Sequence, residues 1–187
     1  MGIRNKTKSN LSESLLRIKN ISTSYDPTIL SGEVDASLLK QVLSNLFNEP
    51  PNDQNSRFYL TPNVVEEINR LDDADLPRYL IHRYRYEIFP QTRTLDKFPP
   101  YLNIEPSSIC NYRCVFCYQT DKKFTNRKSG HMGYMDVDTF YRIIDQAEGN
   151  IEFISLASRG EPLLCPNIEE MLAYTQDKFL NLKMNTN

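Results

Sequence analysis

The fold of this chain is decided by residues 101–117, which read YLNIEPSSICNYRCVFC. The first five, Tyr101-Leu-Asn-Ile-Glu, have the composition of a strand. This strand runs into a loop with three cysteines, Cys110, Cys114 and Cys117, in a C-x3-C-x2-C spacing. Thiolates are soft ligands that suit zinc and iron–sulfur clusters. Because three protein ligands leave one position open for water, substrate or cofactor, the motif predicts a metal centre that takes part in chemistry.

The sequence after the cysteine loop alternates between helical and strand patterns. Helices are predicted at residues 135–148 and 167–179, and strands at 151–157 and 182–187. Together with the strand at residue 101, this order predicts parallel βαβ units. Functional residues in such folds collect at the carboxyl ends of the strands. The cysteine loop and the segment Ser158-Arg-Gly-Glu-Pro are therefore expected at the same edge of the sheet.

The preceding part of the chain has a different organisation. Residues 1–10 are polar and are expected to be disordered, residues 11–90 to form a small helical domain, and residues 91–100 to be a linker. Within the helical domain, Asp35 and Thr61 are predicted N-caps, the latter with Pro62 in the first turn. The expected segments are helices at 11–18, 35–48, 61–68 and 75–88, with a loop at 49–56.

Composition excludes several classes of function. The 187 residues include 22 Lys and Arg against 24 Asp and Glu, so the charge balance predicts neither a nucleic-acid surface nor a strongly acidic partner. No run of 18 apolar residues predicts a membrane span, and no signal-type apolar core follows Met1. Clustered cysteines in such a chain indicate metal ligands in a reducing compartment, and the predicted location is cytoplasmic.

Several of these features together resemble the opening of a radical S-adenosylmethionine (radical SAM) enzyme. The resemblance rests on the strand, the cysteine loop with aromatic Phe116, the helix, the second strand and then Gly160-Glu161-Pro. It covers roughly residues 98–187, the N-terminal part of the family's core. The implied fold class is α/β: the first half of a partial (βα)6 barrel, in residues 101–187 and truncated after the third strand, preceded by the small mainly helical domain.

The resemblance also implies a reaction. Cys110, Cys114 and Cys117 would bind three irons of a [4Fe–4S] cluster, and S-adenosylmethionine would chelate the fourth through its amino and carboxylate groups. One electron, from a donor such as flavodoxin or ferredoxin, would then cleave S-adenosylmethionine to a 5′-deoxyadenosyl radical that abstracts hydrogen from a substrate. The substrate would be a peptide, sugar or small molecule, and the enzyme an oxidoreductase or transferase. The truncated chain by itself is expected to be poorly active.

Further site residues follow from the resemblance alone. Phe116 and Tyr118 would shield the cluster, and Gly160 and Glu161 would hold the methionine amino group. The usual family version has two glycines before the glutamate, and in this chain Arg159 replaces the first. Asn185, near the end of the third strand, would face the cofactor, and no catalytic residue is assigned beyond the cluster ligands.

Two other interpretations remain open at this stage. A structural zinc site would need a fourth ligand, from Cys165 or His131, and would make the chain an interaction module. The second interpretation is a remnant of an enzyme that binds a cluster but does not catalyse a reaction. The loop with Lys122, Lys123 and Lys128 is interpreted either as a cover over the active-site mouth or as a solvated connection.

Overall fold

The computed structural model describes residues 2–24, 30, 33–48 and 57–187. It divides the chain into two compact units, Met1–Lys97 and Phe98–Asn187. The division falls within residues 91–100, where the sequence predicts a linker. The predicted loop at residues 49–56 lies outside the described residues.

The first unit is helical. Its α-helices are α1 (Gly2–Ser24), α2 (Glu33–Phe47), α3 (Pro62–Ile68) and α4 (Leu76–Thr92), and a 3-10 turn at Asp73–Asp75 precedes α4. Helix α1 contacts α3, and α2 contacts α4. The fully buried side chains that these contacts enclose are Ile18, Val42, Phe58, Ile68, Leu76, Tyr79 and Ile81.

Local sequence explains the start of α3 but not that of α2. The predicted N-cap Asp35 is wrong, because α2 already begins at Glu33. The Thr61 hydroxyl accepts a hydrogen bond from the Val64 N–H at 3.4 Å, so Thr61 caps α3 as expected.

Helix α1 begins at Gly2, within the stretch for which disorder was expected. Its part around Ile18 is packed into the core, and adding residues to an existing helix requires no new nucleation. Helix α4 extends to Thr92, four residues beyond the predicted end.

The second unit is a small parallel sheet with helices. Strands β1 (Leu102–Ile104), β2 (Phe153–Leu156) and β3 (Asn181–Met184) lie in the order β1-β2-β3, and both pairings are parallel. This confirms the predicted parallel α/β arrangement. The longer connecting helices are α6 (Val137–Ala147) and α7 (Ile168–Tyr174), and a short α5 (Lys122–Thr125) lies in the cysteine-bearing connection. All three strands are shorter than predicted, because their ends turn into the loops that they support.

Helix α6 shows how the sequence builds this unit. The Asp136 carboxylate accepts a hydrogen bond from the Thr139 N–H at 2.8 Å and starts the helix. Phe140, Ile144 and Ala147 then recur on one face and are buried against β1 and β2. Burial of a side chain such as Phe140 stabilises the fold by about 1.5–3 kcal/mol. The resulting core fixes the strand ends from which the functional loops emerge.

None of the helices in the described part of the chain has the length and apolar character needed to cross a bilayer.

Candidate functional site

Three connections meet at the carboxyl ends of the parallel strands. The pairings Ile104–Leu156 and Leu156–Met184 align the last residue of each strand. The connection after β1 carries the three cysteines and is closed at its base by an antiparallel bridge between Ser107 and Tyr134. The strand register thus brings the cysteine connection beside residues 157–161 and residues 185–187.

The cysteine loop is compact but has little regular structure. Cys110, Cys114 and Cys117 are free thiols, each partly exposed. The Cys117 N–H donates to the Cys114 carbonyl at 2.9 Å, which makes a tight turn of the C-x2-C half. The Tyr112 N–H donates to the Cys110 sulfur at 3.4 Å. A hydrogen bond of this kind orients a sulfur that serves as a metal ligand.

The aromatic residues of this loop differ in their surroundings. Phe116 is 89% exposed and Val115 is 93% exposed. Tyr118 packs edge-on against Phe124, with 5.4 Å between ring centroids, and burial is the main cause of its raised pKa. The apex of the loop therefore has little apolar packing, whereas its carboxyl end is anchored. The predicted shielding role of Phe116 and Tyr118 stays a prediction.

Cysteine thiols are ligands for two kinds of metal centre. Within residues 2–24, 30, 33–48 and 57–187, no three His, Cys, Asp or Glu side chains are arranged to hold one metal ion. A single zinc ion requires ligands that converge on one point, whereas a cluster of several irons binds each thiolate through a different iron. Three free, partly exposed thiols on one tight loop are soft donors that both kinds of centre use.

The two additional zinc ligands that the sequence offered differ in their surroundings. Cys165 is only 2% exposed and belongs to the hydrophobic core with Phe140, Ile154 and Met171. The His131 ring lies near the Phe124 ring, 6.3 Å between centroids. Burial in the core supports the interpretation of Cys165 as a packing residue.

Gly160 lies where two loop backbones meet. A Cβ atom at this position would stand 1.8 Å from the Ser107 carbonyl oxygen and 2.9 Å from the Ile109 carbonyl oxygen. The adjacent Glu161 N–H donates to the Ile109 carbonyl at 2.9 Å. Glycine is required here because the loop after β2 lies directly against the backbone that leads into Cys110. The atoms that approach Gly160 closely are therefore those of the protein's own backbone.

Glu161 ties together the ends of β2 and β3. Its Oε1 accepts from the Leu163 N–H at 3.0 Å and from the Thr186 hydroxyl at 2.8 Å, and its Oε2 accepts from the Asn187 N–H at 2.8 Å. Burial by itself raises the pKa of this carboxyl, but the hydrogen bonds outweigh it and leave the pKa below its ordinary value of 4.5. A carboxylate has about four acceptor positions, so Glu161 retains capacity for one further donor such as an ammonium group.

The stability contributed by Glu161 is expected to depend on pH. Because its pKa is lowered in the folded state, its contribution is complete above the unfolded value and is lost as pH falls through the folded value. We expect Glu161→Gln to flatten the loss of unfolding free energy of residues 98–187 between about pH 5 and pH 3. Glu169→Gln removes the same charge at an exposed position on α7 and should leave that slope nearly unchanged. Equal slopes for Glu161→Gln and the unmodified chain, measured by urea unfolding, would contradict this assignment.

Comparison with known proteins supports the interpretation of this unit. Residues 104–187 match the model of the radical SAM superfamily. This match lies entirely within the second unit of the chain. The matched residues start within β1 and include the three cysteines, Gly160 and Glu161.

A curated relative matches a little less than half of the chain. It is the tungsten-containing aldehyde ferredoxin oxidoreductase cofactor-modifying protein of Pyrococcus furiosus, 32% identical over 89 residues. The match covers 46% of this chain and 23% of the relative, so it spans less than a quarter of the relative's length. No solved structure matches the chain.

Arg159, which stands where the radical SAM pattern has glycine, has a structural partner that sequence reasoning missed. Its guanidinium forms a two-pronged ion pair with Glu105, at 2.6–3.0 Å, and its N–H donates to Glu105 Oε2 at 2.8 Å. Burial raises the pKa of Glu105, but the bonds from Arg159 outweigh it and lower the pKa overall. Ser158 next to it has φ of 145°, a conformation that costs roughly 1–3 kcal/mol and persists only where contacts enforce it. A charged residue immediately after β1 was the signal that could have identified this pair.

The asparagine that reaches the cysteine loop is Asn187. Its side-chain amide lies 3.6 Å from the Cys110 sulfur and 3.2 Å from Asn111 Oδ1. Asn185, which the sequence suggested, is exposed. After β3 the chain first passes Glu161, which Thr186 and the Asn187 N–H contact. Only the Asn187 side chain then reaches Cys110.

Proposed function

We propose that residues 98–187 form the amino-terminal half of a radical SAM barrel that binds a [4Fe–4S] cluster through Cys110, Cys114 and Cys117, with S-adenosylmethionine beside it. Bound together, the two cofactors supply a 5′-deoxyadenosyl radical for hydrogen abstraction from an organic substrate. The observation that carries the proposal is the position of three free thiols on the loop after β1, at the edge where Gly160 and Glu161 also lie.

The chain's own residues have distinct tasks in this proposal. The three thiolates bind the cluster and leave one iron for S-adenosylmethionine. Glu161 uses its remaining acceptor position for the methionine ammonium, while Leu163, Thr186 and Asn187 keep its carboxylate ionised and fixed. Phe116 and Tyr118 exclude water from the cluster, and Asn185 remains a proposed cofactor contact. The site requires a reducing compartment such as the cytoplasm, because the thiols must stay free.

The direct test is anaerobic reconstitution with iron and sulfide, followed by dithionite reduction and electron paramagnetic resonance (EPR). We expect a [4Fe–4S]⁺ signal that changes when S-adenosylmethionine is added. Residues 1–187 by themselves are expected to release little 5′-deoxyadenosine, because the family's remaining cofactor contacts lie on later strands. Stoichiometric zinc without a cluster would overturn the proposal in favour of a zinc-binding module. A cluster that is indifferent to S-adenosylmethionine would favour a non-catalytic remnant.

The connection that carries the cysteines has an excess of basic residues. Residues 106–135 carry five basic residues against one acidic residue, whereas the rest of the chain carries 17 basic against 23 acidic residues. Lys122, Lys123 and Lys128 are exposed on the same connection as the cysteines. The charge balance of the whole chain predicts no strongly acidic partner, but this connection is locally basic. We propose that its surface receives an acidic flavodoxin or ferredoxin, since complementary charge accelerates encounter.

Charge reversal on this surface should slow reduction of the cluster. For Lys122→Glu with Lys123→Glu, we expect roughly tenfold slower reduction by an acidic flavodoxin at low salt, and a smaller difference at high salt. Reduction by a small reductant should change little. Lys19→Glu with Lys40→Glu is the control, since it reverses the same number of exposed charges in the first unit. Equal slowing by both double variants would contradict a local docking surface.

A further inference from the structure

The side chain of Gln119 lies at the base of the cysteine loop. It is 3% exposed, although glutamine is a polar residue. Its Nε2 donates to the Ser108 carbonyl at 2.9 Å and to the Arg159 carbonyl at 2.7 Å. We propose that Gln119 is the positioning residue that sets the geometry of the three cysteines, a role that rests on the cluster-binding function proposed above.

The first of these hydrogen bonds spans the whole motif. Ser108 stands two residues before Cys110, and Gln119 stands two residues after Cys117. The bond between them therefore closes a loop that contains all three thiols. Because the apex residues Val115 and Phe116 are almost fully exposed, apolar packing contributes little to holding this loop. Closure at the base reduces the conformations open to the thiols.

The second hydrogen bond attaches the closed loop to a fixed point. The Arg159 backbone N–H donates to Glu105, and its side chain is held by the same carboxylate. Ser108 is also fixed, because its N–H and hydroxyl both donate to the Gly133 carbonyl. Gln119 thus connects two anchored carbonyls that are 51 residues apart in sequence. This places the cysteines relative to Gly160 and Glu161 on the neighbouring loop.

Only a primary amide of this length can make both bonds. The two partners are acceptors, so both hydrogens of Nε2 are needed, and this fixes the orientation of the amide. Its Oε1 is buried and accepts no hydrogen bond from any described residue. Methionine and glutamate have similar size but cannot donate to the two carbonyls. Their introduction would remove this donor from one buried and one partly buried hydrogen bond.

The test compares Gln119→Met and Gln119→Glu with the unmodified chain. Amide hydrogen exchange is measured by mass spectrometry on reduced, metal-free protein, so its readout is independent of the cluster. We expect exchange on the order of tenfold faster in residues 108–120, with α6 and β2 unchanged. After reconstitution, both variants should lose iron to a chelator faster. Gln146→Met is the matched control, since this exposed glutamine on α6 also donates to a backbone carbonyl.

Each outcome decides a separate point. Unchanged exchange in residues 108–120, or an even rise across residues 98–187, would overturn the positioning role. If Gln119→Met does not fold, the shorter amide of Gln119→Asn, which cannot span both carbonyls, gives the same comparison. If the unmodified chain takes up no cluster, the proposed function fails, while hydrogen exchange still decides whether Gln119 closes the loop.

Discussion

Replacing Cys114 with alanine is expected to abolish stable cluster binding while the fold is retained. Cys114 is the middle cysteine of the loop and is partly exposed, so its truncation removes one of the proposed iron ligands without opening a cavity in the core. Changes to groups that only support a metal ligand already weaken binding by about 10–100-fold, and loss of a ligand should weaken it more. The unfolding free energy should change by less than about 0.5 kcal/mol. Iron and sulfide content and the EPR signal after reconstitution are the measurements.

Cys165→Ala provides the matched control for this experiment. It removes a thiol that lies in the hydrophobic core, so it should lower stability but leave iron and sulfide content at the level of the unmodified chain. If Cys114→Ala retained a full cluster, Cys114 would not be a ligand. If Cys165→Ala lost the cluster while remaining folded, the donor set would have to include the core thiol.

Replacing Gly160 with alanine is expected to be the most damaging small substitution for the fold of the second unit. The new methyl group would lie 1.8 Å from the Ser107 carbonyl oxygen and 2.5 Å from its carbonyl carbon. Both are backbone atoms, so relief requires the two loops to separate. Separation would also stretch the hydrogen bond from the Glu161 N–H to Ile109. Overpacking costs about 1–3 kcal/mol and the lost hydrogen bond roughly 1 kcal/mol more.

The effect of Gly160→Ala should be confined to residues 98–187, and hydrogen exchange in urea can follow that unit separately. Gly133→Ala is the control, because a Cβ at Gly133 meets no atom within 4 Å and its backbone has no positive φ. It should change stability by less than about 0.5 kcal/mol. Equal stabilities for the two variants would show that the loops separate without cost. A cluster content that falls in Gly160→Ala but not in Gly133→Ala would link the contact to the thiols.

Local signals determined much of the second unit in advance. Helix α6 was predictable because Asp136 offers a cap and Phe140 and Ile144 recur at helical spacing, both of which act within a few residues. The parallel strands followed from the order of elements, since a strand, a crossover helix and a second strand pair in parallel. The ends of the helices in the first unit were less predictable. The extension of α1 back to Gly2 and of α4 on to Thr92 reflects propagation from packed turns, which local composition does not reveal.

The sequence by itself determined the residues on which the proposed chemistry depends: three cysteines on one loop, an aromatic neighbour, and a glycine and a glutamate one βα unit later. Only the tertiary structure decided which groups hold them. The ion pair of Glu105 with Arg159, the contact of Asn187 with Cys110 and the hydrogen bond of Gln119 to Arg159 join residues 40 or more positions apart. A ligand motif can be recognised from its spacing in the sequence, because its residues lie close together along the chain. Contacts between loops depend instead on strand register, which is fixed only when the core packs.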